Sequence, residues 1–438
     1  MNIGCFSRLR SAAKSVPRTF PFPRLSPMLP LVLAVLLFAV SSLAANDDPQ
    51  ASVDAQRLES IRQRMQEFVN AGDAAGIVAM ILRGGHVVQK TAVGMQNLEE
   101  KRPMREDSIF QIMSMTKPIT AVGIMMLCEE GKISLYDEAQ KYLPEFRDQK
   151  LNVNGWLRTP SRPIRIGDLL SHTSGMRQMP QGDMKDIHWK MDHTLAEAVA
   201  SYAKEPLEFE PGTKWLYSNT GMATLGRIIE VVSGQSYESF IESRILKPLL
   251  MKDTFFYPPP DKLDRIAMVY SPNNGKMVRA GAQILGGDPG AFRKGAKYPG
   301  PEYGLFSTAE DLSHFCELIL NRGTWNGIRF LSPASIEAMR QVQTSGMVAG
   351  WYPGSDYGLA WEIISRPTGV WGLLLVGTFG HGGAFGTQEW IIPAHDMVTI
   401  YMVACDGNCS ETPERAFRRW HCPAYSSDRT RRSRELLA

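Results

Sequence analysis

The chain has 438 residues, room for two or three domains at roughly 150 residues each. Apolar residues make up 44% and charged residues 21%, the balance of a folded globular chain and not of a disordered, collagen-like or coiled-coil one. The net charge of +3 is too even for a nucleic-acid binder, and six Cys over this length do not make a disulfide-built scaffold.

Residues 1–45 read as a secretory leader. Arg8, Arg10, Lys14, Arg18 and Arg24 precede an apolar run at 28–40, and Ser41-Ser42-Leu43-Ala44-Ala45 supplies a cleavage site near Ala44 or Ala45. The run falls short of the roughly 20 residues that span a bilayer. The alternative is an uncleaved N-terminal anchor, and membrane attachment follows only in that case. Without those five basic residues the chain carries a small net negative charge. Export implies a periplasmic or extracellular location, where disulfides persist. Cys128 and Cys316 fall within helical apolar patterns and read as buried thiols. Cys405 and Cys409 could bridge, but Asp406-Gly407-Asn408 between them reads as a turn. No cysteine or histidine spacing suggests zinc.

In chain order, Val53, Leu58, Ile61, Met65 and Phe68 predict an opening amphipathic helix. Residues 77–82 and 87–93 follow as strands joined near Gly84-Gly85, a hairpin signal. Helical patterns run over 118–130, 194–203, 222–233, 237–245, 309–321 and 333–339. Residues 257–304, rich in Gly and Pro, read as a long, partly ordered loop. Strand-like runs return at 373–376, 388–392 and 397–403, with a turn at 393–396. Strands at both ends of a helical middle (about 130–300) imply an α+β fold, with one antiparallel sheet assembled from distant halves of the chain. The domain is read as 46–420. Beyond it, Pro423 interrupts a helix begun at 414–420, and Arg429, Arg431, Arg432 and Arg434 make 421–438 a basic, frayed tail.

Three motifs carry chemistry. In Ser114-Met115-Thr116-Lys117 the serine and lysine share one face of a helix. A serine hydroxyl attacks only when a neighbouring base takes its proton. Lysine is such a base only where burial or a nearby cation lowers its pKa. Apolar Ile109, Phe110, Ile112, Ile119 and Val122 supply the burial, and Pro118 suits a first helical turn, which puts Ser114 at the helix start. Alone, the tetrapeptide is common on surface helices. The second motif, Trp215-Leu216-Tyr217-Ser218-Asn219, follows a turn at Glu210-Pro211-Gly212 and can point Tyr217 and Asn219 into one cleft. A phenol near a cation ionises more readily and passes a proton to a leaving group. The same segment also suits a core tyrosine ahead of a helix. The third motif packs four glycines into residues 379–386. Such a run lets backbone approach a ligand closely and aims N–H groups at an oxyanion, although an ordinary glycine-rich bulge has the same composition.

In this order the three motifs resemble the serine β-lactamase and penicillin-binding-protein superfamily, in its class C β-lactamase-like branch of esterases and D,D-peptidases. Stretches at 166–175, 209–212, 247–251 and 304–312 are similar to that branch, and the resemblance covers about 53–420. It implies that Ser114 is the nucleophile of an acyl-enzyme and that Lys117 and Tyr217 share the general-base and proton-return roles. Asn219 would bind substrate or hold Lys117. Ser114 and Ala384 would supply oxyanion N–H groups beside His381, Gly382 and Gly383. The resemblance implies no metal or organic cofactor, and a small-molecule ester, amide or short peptide as substrate.

Two departures matter. Relatives that process β-lactams carry Lys-Thr-Gly where this chain has His381-Gly382-Gly383, so a fixed positive charge and a hydroxyl donor for the substrate carboxylate are gone. An esterase-type serine hydrolase is therefore expected ahead of a β-lactamase or D,D-carboxypeptidase. Leu250 replaces a glycine often found in that branch, which puts the local turn in question. Rival classes fare worse. The Gly-x-Ser-x-Gly elbow of α/β hydrolases is absent. Asp186, His188, Asp192 and His193 lack a metal-site spacing and read as a polar loop. A non-catalytic peptide-binding module would be expected to have lost Ser114, Lys117 or Tyr217.

Overall fold

A computed structural model describes residues 54–281 and 293–406. The expected leader, Cys409, Cys422 and the expected basic tail lie outside the described residues.

The opening helix α1 (Ala55–Ala71) starts where the Asp54 carboxylate accepts from the Gln56 and Arg57 N–H groups, and it stops at Gly72 with φ 76°. Strands β1 (Gly76–Arg83) and β2 (His86–Asn97) form the expected hairpin, and β3 (Arg102–Pro103) adds a short edge. The helical middle supplies α2 (Thr116–Glu129), α3 (Leu195–Tyr202), α4 (Asn219–Ser233) and α5 (Tyr237–Ile241). After it come α6 (Ala309–Leu320) and α7 (Pro333–Arg340). The chain then returns to the sheet as β4 (Ser355–Tyr357), β5 (Glu362–Ile364), β6 (Phe379–Gly382), β7 (Gln388–Ile392) and β8 (Met397–Val403). The sheet has eight strands in the order β4-β5-β6-β7-β8-β1-β2-β3, all antiparallel. The seam between chain ends is β8 on β1, with Val403 opposite Ile77 and Val398 opposite Leu82.

Both faces of that seam are buried, which explains its largely apolar sequence. Successive side chains of a strand alternate between faces. Val78, Met80, Leu82, Val398, Ile400 and Met402 therefore enter the large core shared with the helices. Ile77, Ala79, Tyr401 and Val403 face a smaller core closed by Ile61, Met65 and Phe68 of α1.

Three sequence expectations change. Residues 373–376 are not a strand: turns follow the 3-10 turn Gly369–Trp371, and positive φ at Gly369 and Gly377 breaks extension. Trp371 and Leu374 anchor that segment in the smaller core, while Val376 is exposed. Strands β4 and β5 went unread because three-residue strands are too short to show a period. The described parts of 257–304, residues 257–281 and 293–304, are more ordered than their composition suggests. They contain a 3-10 turn (Pro260–Arg265) and a hairpin (Tyr270–Asn273 with Lys276–Arg279) turning at Asn274-Gly275, both at positive φ. Their later part, with Tyr298, Glu302 and Tyr303, is buried. Leu250 keeps the turn that glycine serves in relatives by adopting φ 55°, at a strain of about 1–2 kcal/mol. Cys316 is buried and Cys128 half-buried, both as free thiols, while Cys405 is disulfide-bonded.

Phe68→Ala empties the centre of the smaller core and should cost about 3–5 kcal/mol in chemical denaturation. Gln63→Ala, exposed on the same helix, should stay within about 0.5 kcal/mol. Equal effects would show that α1 does not close a core.

Candidate active site

Ser114 lies in a 3-10 turn (Met113–Met115) that runs directly into α2. Met113 there takes φ 50°, a left-handed conformation that costs a non-glycine residue energy and recurs at functional sites. Lys117 is the second residue of α2, and Pro118 the third, where no intrahelical donor is needed. Ser114 remains half-exposed, whereas Lys117 is fully buried.

The Lys117 amine has two polar neighbours. Its Nζ lies 3.0 Å from Ser114 Oγ and donates to the Glu302 carbonyl oxygen at 2.7 Å. Its Nζ also lies 4.7 Å from the centre of the Tyr217 ring. Burial disfavours the ammonium and brings Lys117 down to about 7, against an opposing pull from Glu302. An amine of that kind is available near neutrality to take a proton.

Tyr217 arrives from an irregular stretch ahead of α4. His172, itself at φ 59°, accepts from the Ser218 N–H through Nδ1 at 3.1 Å, and its carbonyl accepts from the Leu216 N–H at 2.9 Å. Its ring packs on Tyr217 with centroids 4.5 Å apart. Ser114 lies near enough to the Tyr217 hydroxyl to favour its ionisation, second to burial in influence. Sequence reasoning expected a neighbouring cation to ease ionisation of this phenol. Burial acts more strongly the other way and holds Tyr217 protonated. Burial, and then Lys117, likewise push His172 well below its ordinary range, so its ring is neutral and serves to position Tyr217.

Asn219 does not hold Lys117. It opens α4, its backbone N–H donates to the Gln178 carbonyl at 3.0 Å, and its Nδ2 lies 3.2 Å from Met179 Sδ. The helix start turns this side chain toward the 178–179 loop, and the Glu302 carbonyl occupies the second place on Lys117 instead.

The glycine-rich motif forms β6 and the turn after it, and β6 packs on the Ser114 turn. Gly383 is there because nothing larger fits: a Cβ would sit 2.5 Å from the Ile112 carbonyl oxygen and 2.2 Å from Thr387 Oγ1. The Gly383 N–H donates to the Thr387 carbonyl at 2.8 Å, and Ala384 follows at the exposed edge of the motif. His381 is buried with both nitrogens occupied. Nδ1 lies 2.8 Å from the Gly382 carbonyl oxygen and so carries the proton, and Nε2 accepts from the Tyr357 hydroxyl at 2.9 Å. Burial, reinforced by Lys117, pushes His381 down to about 3. The residue in place of the family lysine is therefore a neutral, internally satisfied imidazole.

The mouth of the site is aromatic, which the sequence did not signal. Half-exposed Trp351 packs on Tyr217 at 5.0 Å and edge-on to Trp215 at 6.0 Å, with Tyr357 behind Trp215 at 5.7 Å. The acidic and histidine cluster near 186–193 does not converge. Asp186 pairs with Lys190, Asp192 with His193, and His188 turns inward. Among the described residues no group of three or more candidate ligands could hold a metal ion.

Known proteins share this sequence pattern and fold. The Beta-lactamase family model matches residues 61–421. An uncharacterized protein of Mycobacterium tuberculosis is 28% identical over 85% of this chain and 92% of its own. Esterase EstB of Burkholderia gladioli is 28% identical over 80% of this chain and 91% of its own. The fold is shared with EstCE1, described as a hydrolase with promiscuous acyltransferase activity, at a TM-score of 0.72 and 23% identity over 85% of this chain and 98% of that one. The chain belongs to the beta-lactamase family.

Proposed function

We propose that this protein is a serine hydrolase that cleaves neutral esters through an acyl-enzyme on Ser114. The observation that carries the reading is the contact between Ser114 Oγ and a fully buried Lys117 amine held near neutrality. As Oγ attacks the acyl carbon, its proton passes to neutral Lys117. The carbonyl oxygen becomes an oxyanion facing the Ser114 and Ala384 N–H groups. Collapse expels the alkoxide, which takes the Tyr217 hydroxyl proton while Lys117 returns a proton to Tyr217. Water then repeats the attack in reverse order and frees the acid. Tyr217 suits this relay because burial keeps it a phenol.

Substrate preference follows from His381 and the aromatic mouth. A neutral imidazole already bonded to Tyr357 and Gly382 offers no cation for the carboxylate of a β-lactam or a D-alanyl peptide. Trp351, Trp215 and Tyr217 offer apolar surface instead. The relationship to esterase EstB supports the same choice.

Ser114→Ala should lower kcat/KM for p-nitrophenyl butyrate by about 10⁴-fold or more, keep the melting temperature, and abolish labelling by a fluorophosphonate probe. Retained turnover would refute the nucleophile.

Because neutral Lys117 is the active form, kcat/KM in the wild type should be flat above about pH 7 and fall about tenfold per unit below it. A profile level down to pH 5 would remove Lys117 from the base role. Nitrocefin should be turned over at least about 100-fold less efficiently than p-nitrophenyl butyrate, a gap of about 3 kcal/mol. Comparable turnover would restore the β-lactamase reading.

A further inference from the structure

Trp351 is half-exposed, yet the chain on either side of it is firmly held. Its N–H donates to Oε1 of buried Glu362, on β5, at 3.3 Å. Gly350 before it takes φ 75°, and a Cβ there would sit 2.1 Å from Ser355 Oγ. Tyr352 after it packs edge-on to Trp371 at 5.8 Å and joins the smaller core. The Pro353 carbonyl then accepts from the Thr368 hydroxyl at 2.9 Å. A lone apolar side chain on a surface needs no explanation. An indole set in place by a buried acid, a closely packed glycine and a core anchor is a built wall.

The wall stands beside the proton donor. In the proposed reaction the Tyr217 hydroxyl gives its proton to the departing oxygen as the acyl carbon–oxygen bond breaks, so that oxygen must come within hydrogen-bond reach of it. The hydrocarbon attached to that oxygen then lies over whatever covers Tyr217. His172 and Lys117, which also pack on the Tyr217 ring, are fully buried. Trp351, 5.0 Å from the same ring, is the neighbour that faces solvent. The acyl chain leaves the tetrahedral carbon in another direction. We propose that Trp351 is a specificity-determining residue for the alcohol half of the ester, the surface on which an apolar, ring-bearing leaving alcohol packs while Tyr217 protonates it. Aromatic rings gain from stacked or edge-on contact with an indole beyond the area they bury. The inference rests on the reading of Tyr217 as proton donor to the leaving group.

The test is kcat/KM by proton release, on the full chain, for two pairs of esters. Ethyl and benzyl butyrate differ only in the alcohol, and ethyl acetate and ethyl hexanoate only in the acyl group. The wild type should favour benzyl over ethyl butyrate by about tenfold or more, and W351A should bring that ratio to within about threefold of one. The hexanoate-to-acetate ratio should stay within about threefold of the wild-type value in W351A. W351F should keep the alcohol preference and W351L, apolar without a ring, should lose about threefold of it, a comparison that carries the test should W351A fail to fold. A uniform loss on all four esters with a lowered melting temperature would be a structural role and overturns the assignment. So does an alcohol preference that is absent in the wild type or unchanged in W351A and W351L, or a shift in acyl preference in its place; each leaves hydrolysis at Ser114 standing. No turnover of any of the four esters by the wild type removes the proposed function, and this assignment with it.

Discussion

The site depends on taking one amine out of water. Lys117 ends in a pocket with two oxygen partners, Ser114 Oγ and the Glu302 carbonyl, and no exposed surface. The drop from 10.5 to about 7 corresponds to about 5 kcal/mol of folding free energy near pH 7, because the unfolded chain binds that proton and the folded one resists it. The sign follows directly. Between pH 7 and 10.5 the unfolded state holds more protons at this position, so this contribution to stability improves as pH rises and is fully unfavourable below 7. A cost of that size at one residue needs a large core elsewhere, and the sheet provides two.

The fold gathers the site because its sheet is closed by both chain ends. The β8–β1 seam fixes the C-terminal strands beside the N-terminal hairpin, and β6, two strands from β8, is thereby set against the Ser114 turn. Backbone approaches backbone there: Gly383 leaves no room for a Cβ over the Ile112 carbonyl, and Thr387 Oγ1 donates to the same oxygen at 3.3 Å. The helical middle delivers Tyr217 through His172 and delivers the Lys117 acceptor through a buried segment of what its composition presents as loop.

Much of this was legible in the residues. Long periodic elements such as α1, β1, β2, α4, β7 and β8 declared themselves, because a face buried over many residues leaves a period in the sequence. Ser114, Lys117 and Tyr217 were legible because each supplies a side chain that the chemistry requires at a set spacing. Glu302 was not, since its backbone carbonyl does the holding and any residue has one. His188 sat in an acidic, basic and aromatic stretch that reads as solvated, and only tertiary packing turns its ring inward. Of the two roles expected for Asn219, the hold on Lys117 is not made, because spacing places a residue near a site without saying which way a helix start aims it. The neutrality of His381 comes from burial and from Lys117, and its hydrogen-bond partner Tyr357 lies on a strand too short to read.

The most direct measurement is the ionisation of Lys117 itself. In protein carrying lysine labelled with ¹³C at Cε, an NMR titration with Lys117→Met as the assignment control should find one side chain whose midpoint is near 7. A Lys117 midpoint at or above 10, as for a solvated lysine, would contradict the account.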